Sequence, residues 1–570
     1  MIGWLRLGRN KTAKGADAPI VVEGARKSGG GRTGNRIVMM MSVFFAIYAV
    51  MAGRLVYYGT HQPEDNGPPA ARATAARPDI VDRNGEVLAT DIKTASLYAE
   101  PRRIVDIDEA IDKLATVLPD IDYEQVYNRL NSKAGFVWLR RQLTPKQEAD
   151  ILQLGIPGIG FRSEKRRFYP AGSTVAHVVG LVNVDNKGIA GMEKWVDDQG
   201  LAVLQQTGLA TANDLKPVKL SIDLRVQHVI HDEITTAMER YRAIAAGAVV
   251  LNAKTGEILG MASMPDFDPN NPYNANEKDR LNRMSGGVYE MGSTFKIFTT
   301  AMALDSGRVK ITDKFDASHP LRYGRFTIHD YHAKGRVLSV PEIFIYSSNI
   351  GTAKEAEKIA IPEHKEFLTK LGLLTKMPLE LPEVATPLQP AKWTPLNQMT
   401  IAFGHGVATT PLQTAAAGVA VMNGGIYVPP TLLPRTEEQA EAVEHRVLRA
   451  QTSAEMRYLM RLNVEKGSGR QAAVPGFLVG GKTGTADKVV NGRYAHDKNF
   501  DAFLAAFPID DPQYVVLVII DEPKPYGGWP ATAGANCAPT AGAIIRRIAP
   551  MLGVEPEFGH DTQALLVSYR

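Results

Sequence analysis

The sequence predicts an α+β domain on an antiparallel sheet flanked by helices, preceded by a non-catalytic pedestal and one transmembrane helix. Three observations predict it. β-Rich paired segments lie at both ends of the C-terminal region, a helix-rich middle separates them, and a long uncharged apolar run lies near the N-terminus.

The elements follow in chain order. Residues 1–36 hold eight Lys or Arg against Asp17 and Glu23, a charge of +6, so a formal net of +4 leaves −2 on the remainder. The basic excess belongs to this cytoplasmic tail, and no basic face suited to nucleic acid is evident elsewhere. Residues 37–58 read IVMMMSVFFAIYAVMAGRLVYY, without charge before Arg54. At about 1.5 Å per residue this run can cross a hydrocarbon core of roughly 30 Å. A cleaved signal peptide is the alternative, with Val50-Met51-Ala52 as a passable site, but the apolar run is long for a signal core. Eight basic residues precede the span, while Arg72 and Arg77 follow it. The positive-inside rule therefore keeps the N-terminus cytoplasmic and puts the rest outside the inner membrane.

Residues 59–216 form a linker and a pedestal. GTHQPEDNGPPAARATAARP has a spacer's composition, and Asn84-Gly85 between alternating apolar residues predicts a hairpin. No catalytic constellation occurs before residue 217. Residues 217–570 form the catalytic domain. It opens with a strand and a long amphipathic helix, then two β-rich runs about Lys254-Thr255-Gly256, and closes with a hairpin turning at Asp510-Asp511-Pro512. The single cysteine, Cys537, excludes an intrachain disulfide.

Three polar clusters carry the chemistry. Ser293 and Lys296 are the sole Ser-x-x-Lys, Ser347 and Asn349 the sole Ser-x-Asn, and Lys482-Thr483-Gly484-Thr485 follows in strand-like sequence. Each is weak alone, but in this order they predict an active-site serine acyltransferase. Ser293 must lose a proton to attack a carbonyl, and Lys296, one helical turn on, can take it if neutral. Burial and a second cation, Lys482, would both depress its proton affinity. Ser347 can relay a proton to a leaving amine, and the Asn349 amide suits a peptide backbone or the lysine. Gly484 leaves room for an acyl donor along the strand edge, and Thr483 and Thr485 suit a substrate carboxylate. Backbone N–H groups beside Ser293 and on the Thr485 strand would form the oxyanion hole. No cofactor or metal is required.

Other features are decoys. GFLVGGKT, residues 476–483, fits a P-loop pattern, yet its interior reads as strand and no helix opens after it. Lys254-Thr255-Gly256 precedes the serine and reads as a turn. His329 and His332 have the spacing of a metal pair without a third ligand nearby, so polar loop residues are expected. His405, between glycines, is assigned to site architecture.

These three motifs are those of the penicillin-binding proteins, and from Ile37 to about residue 550 the chain resembles the class B, membrane-anchored D,D-transpeptidases. RPDIVDRNGEVLA resembles their first pedestal box, with Pro78 where glycine is usual. RRFYPAGSTVAHVVGLV and GIAGMEKWVDD, with Gly188, Gly191 and Glu193, resemble the next two. NRMSGGVYEMGSTFK resembles the nucleophile segment, with Met291 in place of proline, a change expected to loosen the turn. The resemblance implies a serine transpeptidase fold of the penicillin-binding and β-lactamase type. It also implies a periplasmic enzyme that acylates Ser293 with a peptidoglycan stem peptide, releases D-Ala and cross-links a neighbouring stem. β-Lactams would acylate the same serine. The chain looks most like the division-specific FtsI type, with a septal role and an FtsW-type glycosyltransferase and other divisome membrane proteins as partners. An elongation-specific relative, a D,D-carboxypeptidase or β-lactamase, a non-enzymatic division scaffold and a β-lactam sensor on the same fold are the alternatives.

Overall fold

The computed structural model describes residues 30–60, 77–199, 215–324, 326–490 and 492–559. The chain falls into two units, Met1–Arg72 and Ala73–Arg570. In the first, a 31-residue helix α1 (Gly30–Thr60) covers the predicted span. Among the described residues no helix is long and apolar enough to cross a membrane. The side chains of α1 are described over residues 38–54, fewer than the whole predicted span. Most of the basic tail and the linker over residues 61–76 lie outside the described residues.

In the second unit, the Asn84-Gly85 turn forms as its sequence predicts. Gly85 takes φ +96°, and the Asp82 carboxylate accepts the N–H groups of Asn84 and Glu86 at 2.7 and 2.9 Å. The turn joins β1 (Ile80–Val81) to β2 (Val87–Ala99), antiparallel. β2 also pairs antiparallel with β3 (Val137–Leu143) and β4 (Ile159–Phe168). Helices Ile107–Val117, Tyr123–Leu130 and Pro145–Gln153 close a separate small core around Leu97, Ile111, Leu114 and Leu143. The base of the pedestal is bound differently. Arg77 and Arg167 are buried against Glu193, on helix α2 (Gly191–Asp198), at 2.8 and 2.6 Å, and reach Asp197 and Asp91 as well. The three box-like segments thus meet in one ion network. Ile80, Leu88, Tyr169, Val178 and Met192 then share a hydrophobic core with the catalytic domain.

The catalytic sheet has five strands. β5 (Val218–Lys219) pairs parallel with β1, and helix α3 (Leu224–Arg240) leads into β6 (Ala245–Asn252) and β7 (Ile258–Met264). Two hundred residues later the chain returns as β8 (Gly480–Val490), β9 (Arg493–Phe507) and β10 (Tyr514–Asp521). The order is β8-β9-β10-β6-β7, all antiparallel, so strands from opposite ends of the domain pair at β10 and β6, with Leu517 opposite Val249. β10 reads YVVLVIID because both its faces are covered. Val515, Leu517 and Ile519 enter one core with Phe298 and Val419; Val516, Val518 and Ile520 enter a second with Ile230, Ala541 and Ile544. The first core is built from the helical middle, including α4 (Lys296–Asp305), α5 (Val340–Tyr346), α7 (Pro411–Met422) and α8 (Ala450–Lys466), while α6 (Asn349–Ala356) sends Ile350 and Ala353 into a smaller core with Leu338 and Met399. The second uses α3 and the last helix, α9 (Cys537–Met551). Cys537 is buried there as a small hydrophobe.

Candidate active site

Ser293 lies on a 3-10 turn, Gly292–Phe295, that runs directly into α4, whose first residue is Lys296. Met291 stands where proline is usual. It is buried, and its carbonyl accepts the Thr294 hydroxyl at 2.7 Å, closing the turn that proline would otherwise restrict. Backbone contacts clamp the turn on both sides. A Cβ on Gly404 would stand 2.0 Å from the Gly292 carbonyl oxygen, and one on Gly484 would stand 2.4 Å from that of Met291. Gly292 itself has φ +52°. Gly484 therefore leaves room for the nucleophile turn.

The second cluster is shaped by α5, which ends at Ser347 with φ +57°, a left-handed conformation unusual for a residue with a side chain. The next residue, Ser348, caps α6 by accepting the Gly351 N–H at 2.9 Å. Asp330 fixes this start, accepting Ser348 Oγ at 2.7 Å and Ile350 N–H at 2.9 Å, while the His329 carbonyl accepts Asn349 Nδ2 at 2.9 Å. The HDYH segment thus holds the Ser-x-Asn motif, and among the described residues no cluster of three His, Cys, Asp or Glu could bind a metal.

On β8 the side chains alternate. Lys482 and Gly484 face the nucleophile turn and Ser347. Thr483 and Thr485 face away from the lysines: the Thr483 hydroxyl lies 2.5 Å from that of Ser468, and Thr485 Oγ1 accepts the Ala533 N–H at 3.1 Å and bonds the Asp501 carboxyl. A substrate carboxylate at these threonines would share hydroxyls already engaged. The GKT of the P-loop pattern is strand, with no helix after it. Lys254 sits in the turn between β6 and β7, its N–H held by Asn252 Oδ1 at 2.8 Å.

The three clusters converge on Lys296. Its Nζ lies 2.5 Å from the Ser347 carbonyl oxygen, 2.8 Å from Asn349 Oδ1 and 3.1 Å from Ser347 Oγ. Lys482 Nζ is 3.0 Å from the same Ser347 Oγ and 3.1 Å from the Thr483 carbonyl oxygen. Two of the Lys296 partners can only accept, and the Ser347 hydroxyl can either accept from an ammonium or donate to the lone pair of a neutral amine. Burial, then the neighbouring Lys482 ammonium, holds Lys296 well below the ordinary lysine range. Burial brings Lys482 down to about 7. Ser293 is part-exposed, and among the described residues its hydroxyl has no hydrogen-bond partner.

Sequence reasoning missed several supporting groups. Glu290 accepts the Gly406 N–H at 2.7 Å and the Tyr494 hydroxyl at 3.2 Å, joining the nucleophile segment to the His405 loop and the β8–β9 hairpin. His405 stacks edge-on to Phe403 and Tyr494, and burial lowers its proton affinity. Glu355, on α6, is buried, accepts Thr300 Oγ1 at 2.8 Å and is pushed by burial up to about 8. Asp330 was hidden between the two histidines that drew attention; a local signal existed, an Asp that can cap a helix, but not its partner.

Residues 246–546 match the model of the penicillin binding protein transpeptidase domain, and residues 72–199 that of the penicillin-binding protein dimerisation domain. The chain is 42% identical over 501 residues to the probable peptidoglycan D,D-transpeptidase FtsI of Caulobacter vibrioides, covering 84% of this chain and 82% of that one. It is 30% identical to the peptidoglycan D,D-transpeptidase FtsI of Escherichia coli K12, with 85% of each covered. Penicillin binding protein 3 of Mycobacterium tuberculosis, solved with aztreonam, shares the fold with a TM-score of 0.64 at 24% identity, over 85% of this chain and 98% of that one. A dimerisation domain followed by a transpeptidase domain, with relatives matched along most of their length, means that the chain belongs to the class B penicillin-binding proteins.

Proposed function

We propose that this chain is a serine-type peptidoglycan D,D-transpeptidase and a target of β-lactams, with Ser293 as nucleophile and Lys296 as its base. The observation that carries this reading is the Lys296 amine, buried among Ser347 and Asn349 with Lys482 on the same hydroxyl. Ser293 Oγ bonds to the carbonyl carbon of the penultimate D-Ala as its proton passes to Lys296. The negative oxygen that develops meets backbone N–H groups at the start of the 3-10 turn and on β8. Collapse breaks the C–N bond. The departing D-Ala nitrogen takes a proton from Ser347, which is resupplied from Lys296. An amine of a second stem then attacks the ester and releases Ser293. Thr483 and Thr485 are assigned to the donor's carboxylate, which would share the hydroxyls that now meet Ser468, Ala533 and Asp501.

Fluorescent penicillin tests the nucleophile, since Ser293→Ala must abolish labelling. Cross-linking of a muropeptide donor to an amine acceptor tests the transfer, and release of D-Ala without cross-links would convert the reading to a carboxypeptidase.

The septal role rests on the FtsI-named relatives, and with it an FtsW-type glycosyltransferase as partner. A single-pass anchor through α1, with the catalytic domain periplasmic, rests on the uncharged run before Arg54, on the helical conformation of that run and on exposed apolar side chains such as Val38, Phe45 and Val50. Depletion of the protein and scoring for filaments tests the first, and membrane fractionation with protease access tests the second.

A further inference from the structure

The mechanism gives no place to the second stem, whose amine opens the Ser293 ester. That amine enters where the D-Ala nitrogen left and returns its proton by the same route, through Ser347, because the two steps are the reverse of one another. The rest of the acceptor therefore lies on the surface next to Ser347. This surface is an insert between α4 and α5. Strand Lys314–Asp316 pairs with Val337–Ser339, and Leu321–Tyr323 with Phe326–Ile328, as two small antiparallel sheets apart from the catalytic one. Ile328 and Leu338 pack with Ile350 of α6, and the His329 carbonyl and Asp330 carboxylate bond the Ser-x-Asn segment, so the insert is fixed to the site. Past Asp330, every residue from Tyr331 to Val337 is exposed, Tyr331 by 82%. Residues 319–337 hold Arg322, Arg325, Lys334 and Arg336 against Asp330 alone, +3 with histidines neutral, on a chain that carries −2 after residue 36. Tyr346, which immediately precedes Ser347, is 37% exposed, and Lys334 Nζ lies 4.6 Å from its ring centroid, with the Arg336 guanidinium at 6.0 Å. Arg336 is paired with Glu342 at 2.7 Å, and Asp330 is engaged by Ser348 and the Ile350 N–H. Among the described residues Lys334 has the Tyr346 ring and no carboxylate as partner.

We propose that the face formed by Tyr346, Lys334 and Arg336 is the acceptor subsite, and that it selects a stem peptide bearing a free carboxylate by pairing that carboxylate with Lys334. The inference rests on the transpeptidase reading of Ser293. A cation fixed over a ring one residue from the proton relay, and facing solvent without a counter-charge, is complementary to an anionic peptide, while the ring offers its apolar face to the peptide's aliphatic part. Lys334 takes no part in bond making. The neutral acceptor amine bonds to the ester carbonyl carbon, the bond to Ser293 Oγ breaks, and the amine's proton passes through Ser347 and Lys296 to Ser293. What Lys334 adds is affinity and choice of acceptor, expressed in KM for the second substrate and absent from the first half of the reaction.

The test is cross-linking by the full chain with one muropeptide donor and two acceptors, a muropeptide with free stem carboxylates and the same muropeptide with those carboxylates amidated. The wild type is expected to show a KM for the free-carboxylate acceptor about fivefold below that for the amidated one, a difference that shrinks as salt is raised. Lys334→Glu should abolish the preference by raising the first KM about fivefold or more, and Lys334→Arg should keep it. Penicillin acylation and melting temperature should be the same in all three proteins, because acylation precedes the acceptor and Lys334 is exposed. Equal KM values for the two acceptors in the wild type, or a preference that survives Lys334→Glu, overturn the proposal. So does a matching loss of penicillin acylation in Lys334→Glu, which would place Lys334 with the donor. The two claims separate cleanly. If the wild type forms no cross-links, or Ser293→Ala still labels with penicillin, the functional reading itself falls; if cross-linking is intact and indifferent to Lys334, only the subsite falls.

Discussion

Gly484→Ala adds one carbon at the tightest approach between β8 and the nucleophile turn. The new Cβ would stand 2.4 Å from the Met291 carbonyl oxygen, 2.8 Å from Thr294 Cγ2 and 2.9 Å from Thr294 N. Ordinary contact begins near 3.4 Å, so strand and turn must separate by about 1 Å. Two of the three atoms are backbone and cannot rotate away. Overpacking of this kind costs about 1–3 kcal/mol of stability. The larger effect is on rate, because Ser293 is carried by the turn and Lys482 by the strand. A displacement of about 1 Å between reacting groups costs on the order of 10²-fold. Stopped-flow or gel measurement of penicillin acylation, alongside thermal denaturation, reads both. The variant should melt a few degrees lower and acylate about a hundredfold more slowly even where fully folded. Wild-type acylation with an unchanged melting temperature would refute the clamp.

Lys482→Ala should slow acylation by at least about 10²-fold, as removal of a charge aimed at the reacting centre does, while Lys254→Ala, in the turn between β6 and β7, should leave it unchanged. Equal effects would unseat the choice between the two Lys-Thr-Gly runs. Lys482→Met should inactivate the enzyme yet stabilise it near neutrality. The folded lysine binds its proton less tightly than the unfolded one, so wild-type stability rises with pH between about 7 and 10.5, by up to about 1.4 kcal/mol per unit. The melting advantage of Lys482→Met must therefore shrink across that window; a constant gap would show that Lys482 is not displaced. Arg167→Ala leaves buried Glu193 with Arg77 as its remaining guanidinium partner and should cost about 1.5–3 kcal/mol in denaturant unfolding, with acylation intact in the folded fraction. A loss below about 1 kcal/mol would mean that the network is dispensable.

The sheet was legible because burial on both faces writes itself into the residues: YVVLVII and AGAVVLN are continuous apolar runs, and turns such as Asp510-Asp511-Pro512 punctuate them. The reacting groups were legible because acyl transfer restricts residue type and spacing. What joins them was not. The Gly404 approach to Gly292 links positions more than a hundred apart, and nothing local to either marks the partner. The same holds for Asp330 at the start of α6. Glu355 reads as one more acid in AKEAEKI, where an exposed helix face is the ordinary expectation; its burial follows from packing against α4. The roles given to Thr483, Gly484 and Thr485 follow from residue type alone, and sequence does not say which face of the strand meets the serine.

The close approaches at Gly292, Gly404 and Gly484 set main chain largely against main chain, with the Thr294 methyl and the Ala486 Cβ the side-chain atoms nearest them. The serine's location is then insensitive to which residues decorate the cleft. Substitutions around the rim can alter what enters, natural stem or drug, without disturbing the position from which attack is launched.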